Sequence, residues 1–241
     1  MTYCVGLLLN SGMVLLADTR TNAGLDNIAT YRKMFTFEVP DERVIVIMTA
    51  GSLSITQTTL ARLRDVMESD EANEFNSILK AQSMLKVAEI VGAMLAEVRA
   101  EIQDRLSVMG HSASATMIVA GQRRGGGMRM FLIYPEGNFI EATEDTPFLQ
   151  IGEHKYGKPI LDRVVTFDTP IPDAEKAALL SMDSTLRSNL SVGMPLDLCI
   201  VERDALRIAH SRRVEAGDAD FRRLSDAWSV ALREGFHRIP G

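Results

Sequence analysis

The chain begins with two short apolar runs, VGLLL and MVLLA, separated by Asn10-Ser11-Gly12. Short apolar runs bounded by turn-forming residues are typical of buried strands, and the tripeptide between them favours a hairpin. The pattern therefore predicts paired strands at residues 2–9 and 13–18. Residues 19–32, which follow, are polar and rich in turn-forming side chains.

Two later stretches have apolar residues at helical spacing. Ser52 precedes the first and is a candidate N-cap, because a serine hydroxyl can accept a hydrogen bond from the first helical turn. The apolar face of this helix contains Leu53, Leu60, Leu63 and Val66. A longer helix is predicted over residues 76–106, and its apolar stripe consists of Leu79, Met84, Val87, Val91, Met94, Val98 and Ile102.

The rest of the pattern contains further short strands and helices. Strands are predicted at residues 33–39, 43–49, 114–120, 128–134, 138–142, 197–202 and 205–209. Helices are predicted at residues 155–163, 172–187 and 218–236, and the last has Phe221, Leu224, Trp228 and Leu232 on one face. Pairs of helices between runs of strands do not suit a parallel βαβ sheet, which requires alternation. The order predicts an α+β fold, a four-layer α/β/β/α sandwich with an extra C-terminal helix.

Composition and charge are those of a globular protein. The chain has 241 residues, 46% of them hydrophobic, and no Pro/Gly/Ser-rich linker, so we predict one domain over residues 1–241 with a helical extension at 211–241. A net charge of -6 argues against nucleic acid or an anionic membrane as a partner. Cys4 and Cys199 are too few for a disulfide scaffold or a zinc site. With no basic segment before the first apolar run, the sequence indicates a cytoplasmic protein.

Thr2 is the first candidate for chemistry. Methionine aminopeptidases remove Met1 before a small residue, which would leave Thr2 a free α-amine, although many chains begin Met-Thr without further consequence. A neutral α-amine can deprotonate the hydroxyl of its own residue, and a nearby cation lowers the amine's pKa from about 8. Asp18 and Lys33 can meet at one end of the predicted sheet and supply that charge. Taken singly, each is better explained as a turn residue or an exposed strand flank.

Several segments together resemble proteasome β-type subunits. They are Thr2 opening a strand, the stretch ADTRTNAG that begins at Ala17, Arg32-Lys33-Met34, and Thr49-Ala50-Gly51-Ser52 before a helix. The resemblance covers residues 2–203, and MTYCV, RKMF, IGEHKYGKPILDR and STLRSNLSVG are similar to the bacterial branch called Anbu, the ancestral β subunit. It implies an N-terminal-nucleophile hydrolase, specifically a threonine-type peptidase.

The resemblance also implies roles for individual residues. Thr2 matches the nucleophile and amine base, and Asp18 and Lys33 match the carboxylate and ammonium that tune the amine. The backbone N–H of Gly51, at a helix start, matches the oxyanion-hole donor. Such donors contribute roughly 3–4 kcal/mol of transition-state stabilisation.

Two further parts of the family pattern concern substrate binding and the support of the nucleophile. Asn22 and Gly24 lie where the family pairs its backbone with an extended peptide substrate. Where most members have an Asp and a Ser beside the nucleophile, this chain has Ser188 and Ser191. The loop between Asp18 and Lys33 is one residue shorter than in most members. A missing second carboxylate would remove part of the network that transfers protons, so peptidase turnover could be weak or could require assembly.

The partners follow from the resemblance as well. It implies a peptide or unfolded-protein substrate, a homo-oligomeric ring or spiral and an ATPase unfoldase, with no metal or other cofactor. Two alternatives stay open: a non-catalytic structural subunit of the same fold, and an amidase of a small molecule. The glycine-rich QRRGGGM joins two predicted strands, which argues against a phosphate cradle. The four histidines lack ligand spacing. We interpret the helix containing Trp228 as a subunit contact.

Overall fold

The computed structural model describes residues 2–22, 28–107 and 113–240, without the side chains of residues 22, 28 and 104–107. Twelve strands and five helices lie in this described part of the chain. In chain order they are β1 (Tyr3–Leu9), β2 (Gly12–Asp18), β3 (Arg20–Asn22), β4 (Ile28–Thr30), β5 (Met34–Val39), β6 (Arg43–Gly51), α1 (Leu53–Glu68), α2 (Met84–Ser107), β7 (Ala115–Arg123), β8 (Arg129–Ile133), β9 (Phe139–Glu141), β10 (Phe148–Gly152), α3 (Lys158–Val164), α4 (Ile171–Ser188), β11 (Leu196–Glu202), β12 (His210–Val214) and α5 (Ala219–Arg238).

Two five-stranded antiparallel sheets form the centre of the protein. The first sheet has the order β10-β1-β2-β11-β12, and the second has the order β5-β6-β7-β8-β9. The predicted hairpin is present, since β1 pairs with β2 from Cys4 opposite Ala17 to Leu9 opposite Gly12. Strands β3 and β4 form a separate two-stranded ribbon.

Alternating side chains of the two sheets fill three apolar layers. In β1, Tyr3 and Val5 face the layer beneath α3 and α4, whereas Cys4 and Leu8 face the layer between the sheets. The third layer lies between the second sheet and helices α1 and α2. Alternation along a strand sends successive side chains to opposite faces, so a strand buried on both faces is apolar throughout. The predicted α+β sandwich with layers α/β/β/α is confirmed.

Helix α5 packs against α4 through only part of its length. Phe221 is buried there, and the Ser225 hydroxyl donates a hydrogen bond of 2.8 Å to the Asp183 carboxylate. Farther along, Leu232 and Phe236 are 52% and 72% exposed. Within the described residues, no helix combines the length and the apolar character that a membrane crossing requires.

The start of the second long helix was predicted too early. Helix α2 begins at Met84, not at residue 76. Before it, the side-chain oxygens of Asn73 and Asn76 accept hydrogen bonds from backbone N–H groups, and these bonds compete with the backbone hydrogen bonds of a helix. The Ser83 hydroxyl then accepts the Lys86 N–H and starts the helix.

Three other local expectations differ from the structure. The strand predicted at residues 205–209 is wrong: Asp204 and Leu206 have φ of 64° and 52°, a left-handed conformation that an extended strand does not contain, and the strand is β12. Ser52 does occupy the N-cap position of α1, but its side chain makes no capping bond. The short strands β3, β4 and β10 were not predicted.

Candidate active site

A buried ion pair lies at the end of β2. Lys33 Nζ is 2.7 Å from Asp18 Oδ1, and both side chains are almost fully buried. Lys33 Nζ also donates to the Arg20 carbonyl over 2.6 Å. A buried pair is tolerated when further hydrogen bonds satisfy both partners, and here the ammonium has at least one such partner besides the carboxylate. The ion pair therefore joins the end of β2 to the residue that precedes β5.

The Asp18 carboxylate also joins two distant segments of the chain. Its Oδ1 accepts the backbone N–H of Tyr3 over 3.0 Å, and its Oδ2 accepts that of Gly193 over 3.2 Å. Burial raises the pKa of Asp18 above its ordinary value, while the Lys33 charge and these donors oppose that rise. One carboxylate thus links the start of β1, the ammonium and the segment after α4.

Thr2 directly precedes Tyr3, whose N–H binds the Asp18 carboxylate, and the Thr2 backbone is itself held in place. It is 7% exposed, and its carbonyl accepts the Glu153 N–H over 2.7 Å. Gly152 crosses so close to it that a Cβ at that position would be 1.9 Å from the Thr2 carbonyl oxygen. Chain termini usually fray unless they are tied into a sheet. Here the residue before β1 is fixed through its own peptide unit.

Gly51 ends β6 directly before α1. Its φ is 105°, and a Cβ would lie 2.3 Å from the Ser114 carbonyl oxygen, so only glycine fits. The Ser52 N–H donates to that same carbonyl over 2.8 Å. The backbone therefore turns sharply at Gly51 and enters α1, whose N-terminal end carries partial positive charge.

The predicted serines lie in or beside the segment that contacts Asp18. Ser188 ends α4 and is exposed, and Ser191 is partly buried, with its backbone N–H on Asn189 Oδ1. Within the described residues, neither hydroxyl makes a hydrogen bond. The connection from this segment to Asp18 is made by the backbone of Gly193, and the Arg20 guanidinium packs against this glycine so closely that a Cβ there would displace it.

The predicted substrate-pairing residues are only partly visible. Asn22 lies in β3, opposite Ile28, and its side chain is outside the described atoms. Gly24 lies outside the described residues altogether. The ribbon that contains Asn22 begins at Arg20, whose carbonyl accepts a hydrogen bond from Lys33 Nζ. The ribbon therefore starts beside the ion pair.

Sequence reasoning missed three contributors to this site. Gly193 supplies a backbone donor to Asp18, and Thr19 Oγ1 donates to the Pro195 carbonyl over 2.7 Å, which ties the same segment to β2. Tyr3 supplies both a backbone donor and a buried side chain. The glycine and the proline, close together after a helix, were the available signal for a turn. A backbone contact to a carboxylate far away in sequence leaves no such signal.

Three other titratable groups of the described residues make none of the site contacts given above. Cys4 and Cys199 are buried, and burial raises the pKa of both thiols. Asp183 is bonded to Arg187 and Ser225 and connects α4 to α5. The described part of the chain contains no cluster of His, Cys, Asp and Glu suited to a metal ion.

Comparisons with known proteins match this fold and sequence to one family. The family model described as "Proteasome subunit" matches residues 2–201. An Anbu Gly-1 mutant structure from Hyphomicrobium sp. strain MC1 is 48% identical, with a TM-score of 0.92, covering 100% of this chain and 99% of that one. Anbu from Yersinia bercovieri is 41% identical, with a TM-score of 0.91 and coverage of 99% and 98%.

A third solved structure is a helical assembly of the Anbu complex from Pseudomonas aeruginosa. It is 46% identical, with a TM-score of 0.93, and the match covers 99% of this chain and 97% of that one. No curated protein matches the sequence. Because the family model spans most of the chain and relatives above 40% identity align over nearly the whole length, the chain belongs to the proteasome subunit family, in its Anbu branch.

Proposed function

We propose that the protein is a threonine-type peptidase whose nucleophile is Thr2 after removal of Met1. The observation that carries the proposal is the position of the Asp18 carboxylate, which binds Lys33 Nζ and the N–H of the residue that follows Thr2. A cation at this place would keep more of the Thr2 amine neutral near pH 7, so the amine could accept the hydroxyl proton.

In the proposed reaction, the Thr2 hydroxyl oxygen attacks a peptide carbonyl and its proton passes to the Thr2 amine. The Gly51 N–H stabilises the oxyanion, and the amine then gives the proton to the leaving nitrogen. Water hydrolyses the resulting ester, with the same amine as the base. The products are the two peptide fragments and the free enzyme.

The segment after α4 has a supporting role in this proposal. Ser188 and Ser191 would assist the proton transfers from the side where Gly193 contacts Asp18. An extended peptide would bind along the backbone of the ribbon that contains Asn22 and of Gly24 beyond it, through main-chain hydrogen bonds.

The test is intact mass spectrometry with and without a threonine-directed β-lactone. Wild-type protein should show loss of Met1 and the mass of one inhibitor, mapped to Thr2, and the Thr2→Ala variant should show none. A processed wild-type protein without an adduct would favour the non-catalytic structural subunit. If the adduct forms but a peptide library is not cleaved while small amides are, the amidase is the better assignment.

We also propose that the protein acts as a homo-oligomer and that α5 takes part in a subunit contact. Trp228, Leu232 and Phe236 lie four residues apart on α5 and line one apolar surface together with Ile239. Such a face is stabilised when another apolar surface covers it. The helical assembly described for the Pseudomonas aeruginosa relative supports a second copy of this chain as the covering partner.

A further inference from the structure

A mostly buried polar cluster lies on the face of β1 that packs against α4, and it has no part in the proposed reaction. Tyr3 is fully buried, and its hydroxyl lies 2.5 Å from Ser181 Oγ of α4. Gln150 Nε2, from β10, donates to the same hydroxyl over 2.5 Å. We call Tyr3, Ser181 and Gln150 the tyrosine cluster. It connects the side chain next to Thr2 to two elements that are distant in sequence.

The peptide unit between Thr2 and Tyr3 is bonded at both of its polar atoms. The Thr2 carbonyl accepts the Glu153 N–H, and the Tyr3 N–H donates to Asp18 Oδ1. Because a peptide unit is planar, hydrogen bonds at its two opposite polar atoms hold the orientation of its plane. The Tyr3 side chain then limits rotation about the backbone bonds at Tyr3 Cα. The tyrosine cluster supplies that third attachment. Together the three attachments determine where Thr2 Cα, the atom that carries the amine and the hydroxyl-bearing side chain, is held.

The surroundings leave little room for the cluster to move. A Cβ at Gly157 would be 2.2 Å from Ser181 Oγ and 2.7 Å from the Tyr3 hydroxyl oxygen. Ser181 is fully buried, and its own carbonyl accepts the Thr185 hydroxyl over 2.9 Å. A displaced tyrosine hydroxyl, itself buried, would lose the fully buried Ser181 hydroxyl and the half-buried Gln150 amide as partners, which makes displacement costly.

We propose that Tyr3 is a positioning residue that holds the Thr2 amine at its distance from the Lys33–Asp18 pair, acting through the tyrosine cluster. The inference rests on the proposed function, in which this amine is the base. Without the hydroxyl, the side chain keeps its apolar contacts but loses the bonds to α4 and β10. The first residue then samples positions farther from the ammonium, and its amine titrates more like that of a free chain end.

The test uses Tyr3→Phe and Ser181→Ala, with Thr59→Val as the matched control. Thr59 is also fully buried and its hydroxyl bonds within α1, so its loss removes a buried hydroxyl without touching Tyr3. All proteins are used as the full chain with Met1 removed, treated with methionine aminopeptidase where the intact mass requires it. Two reactions are followed from pH 6 to pH 10: acylation by the β-lactone, and trace acetylation of the α-amine by acetic anhydride, read by mass spectrometry.

Tyr3→Phe should lower the limiting acylation rate at least tenfold, leave the half-saturating lactone concentration within about twofold, and move the acetylation profile toward higher pH. Ser181→Ala should do the same to a smaller extent, and Thr59→Val should leave both profiles unchanged. Profiles in Tyr3→Phe that match wild type, with only the unfolding temperature lowered, would overturn the inference. If wild type is acetylated but never acylated, the proposed function fails, and the acetylation profiles alone then decide the role of Tyr3.

Discussion

Asp18 shows how single residues determine the chemistry at this site. Its carboxylate is buried with one ammonium, and two backbone N–H groups complete its hydrogen bonds. Desolvating two charges costs several kcal/mol per ion, and the cost is offset only when the geometry and additional bonds are favourable. Loss of either Asp18 or Lys33 should therefore destabilise the fold, and the size of that effect should depend on pH.

Lys33→Met should lower the free energy of unfolding at pH 7 by about 3–5 kcal/mol, because the Asp18 charge would be left buried and uncompensated. Loss of the lysine removes a contribution that lowers the pKa of Asp18, so that pKa rises further. The folded state then binds its proton more tightly than the unfolded state, and the deficit should shrink as pH falls towards about 4, the ordinary carboxyl value.

Urea unfolding of Lys33→Met at several pH values between 4 and 8 measures this trend. The double variant Asp18→Asn/Lys33→Met is the control, since it has no charge to bury and should not show the pH-dependent deficit. A deficit of equal size at both ends of the range would mean that the Asp18 charge is not its cause.

Tyr3 should make stability fall at alkaline pH. Burial raises the pKa of the Tyr3 hydroxyl from 10.0 to about 12. The folded state keeps this proton where the unfolded state loses it, so the contribution to stability is complete below pH 10 and decreases as pH rises towards 12. From pH 9 to pH 11 the loss should be about 1 kcal/mol, since one unit of pKa shift corresponds to about 1.4 kcal/mol.

The measurement is the difference in unfolding free energy between wild type and Tyr3→Phe across that range. This difference in unfolding free energy should decrease by about 1 kcal/mol from pH 9 to pH 11, because only wild type carries the hydroxyl that ionises. Tyr31→Phe, at a residue that is 41% exposed, is the comparison for a tyrosine hydroxyl that water reaches. A constant difference for Tyr3→Phe would show that its hydroxyl is not selectively protected from ionisation.

At the scale of elements, the site depends on close approaches at the ends of strands. Strand β10 pairs with β1 in a register that places Gly152 opposite Tyr3, and the left-handed conformation of Gly152 lets its backbone pass the Thr2 carbonyl. At the end of β6, the positive φ of Gly51 likewise lets its backbone pass the Ser114 carbonyl. Both glycines are required by the space around them and by their own φ values.

Gly152→Ala should destabilise the fold more than Gly125→Ala. Both residues have φ near 80°, but a Cβ at Gly125 meets nothing within 4 Å, whereas one at Gly152 meets the Thr2 carbonyl. Gly125→Ala should cost about 1–2 kcal/mol, the cost of the left-handed conformation alone. Gly152→Ala should cost about 2 kcal/mol more, since the backbone of Thr2 must move.

Thermal and urea unfolding of the two variants give these values. The lactone reaction adds a second readout, because a displaced Thr2 should be acylated more slowly in Gly152→Ala and at the wild-type rate in Gly125→Ala. Equal stabilities would show that β10 adjusts freely at this point, and the terminus would then be less tightly held than its contacts indicate.

At the scale of the whole molecule, α5 extends the sandwich and leaves an apolar surface. Its first half is attached to α4 by Phe221 and by the bond from Ser225 to Asp183. Its second half has exposed Leu232 and Phe236. In a single copy, this surface would remain in contact with water, which favours association.

Leu232→Glu should therefore lower the mass of the assembly in light scattering after size exclusion. Val230→Glu is the matched control, because Val230 is similarly exposed on the same helix but lies outside the apolar surface. The control should retain the wild-type mass. If both variants assemble as wild type does, the subunit contact that we propose for α5 is wrong.

The sequence was sufficient for the parts of the fold that depend on local pattern. The apolar runs of β1 and β2 are buried on both faces, and the stripe of α2 covers one sheet, so period and burial agree. The pattern was insufficient where side-chain hydrogen bonds or left-handed backbone conformations determine where an element begins. Asn73 and Asn76 delay α2, and the left-handed residues Asp204 and Leu206 displace the last strand.

The candidate site divides in the same way. The residue types and their order, Thr2 opening a strand, Asp18 ending the next and Lys33 beginning another, were enough to name the charged pair as candidates. Their meeting within 2.7 Å, the Gly193 donor and the tyrosine cluster depend on contacts between segments as far as 178 residues apart. Local pattern encodes which elements form, because periodicity acts between neighbours in sequence. Only the packed tertiary structure decides which distant groups share a buried site, since burial and distance arise from the whole fold.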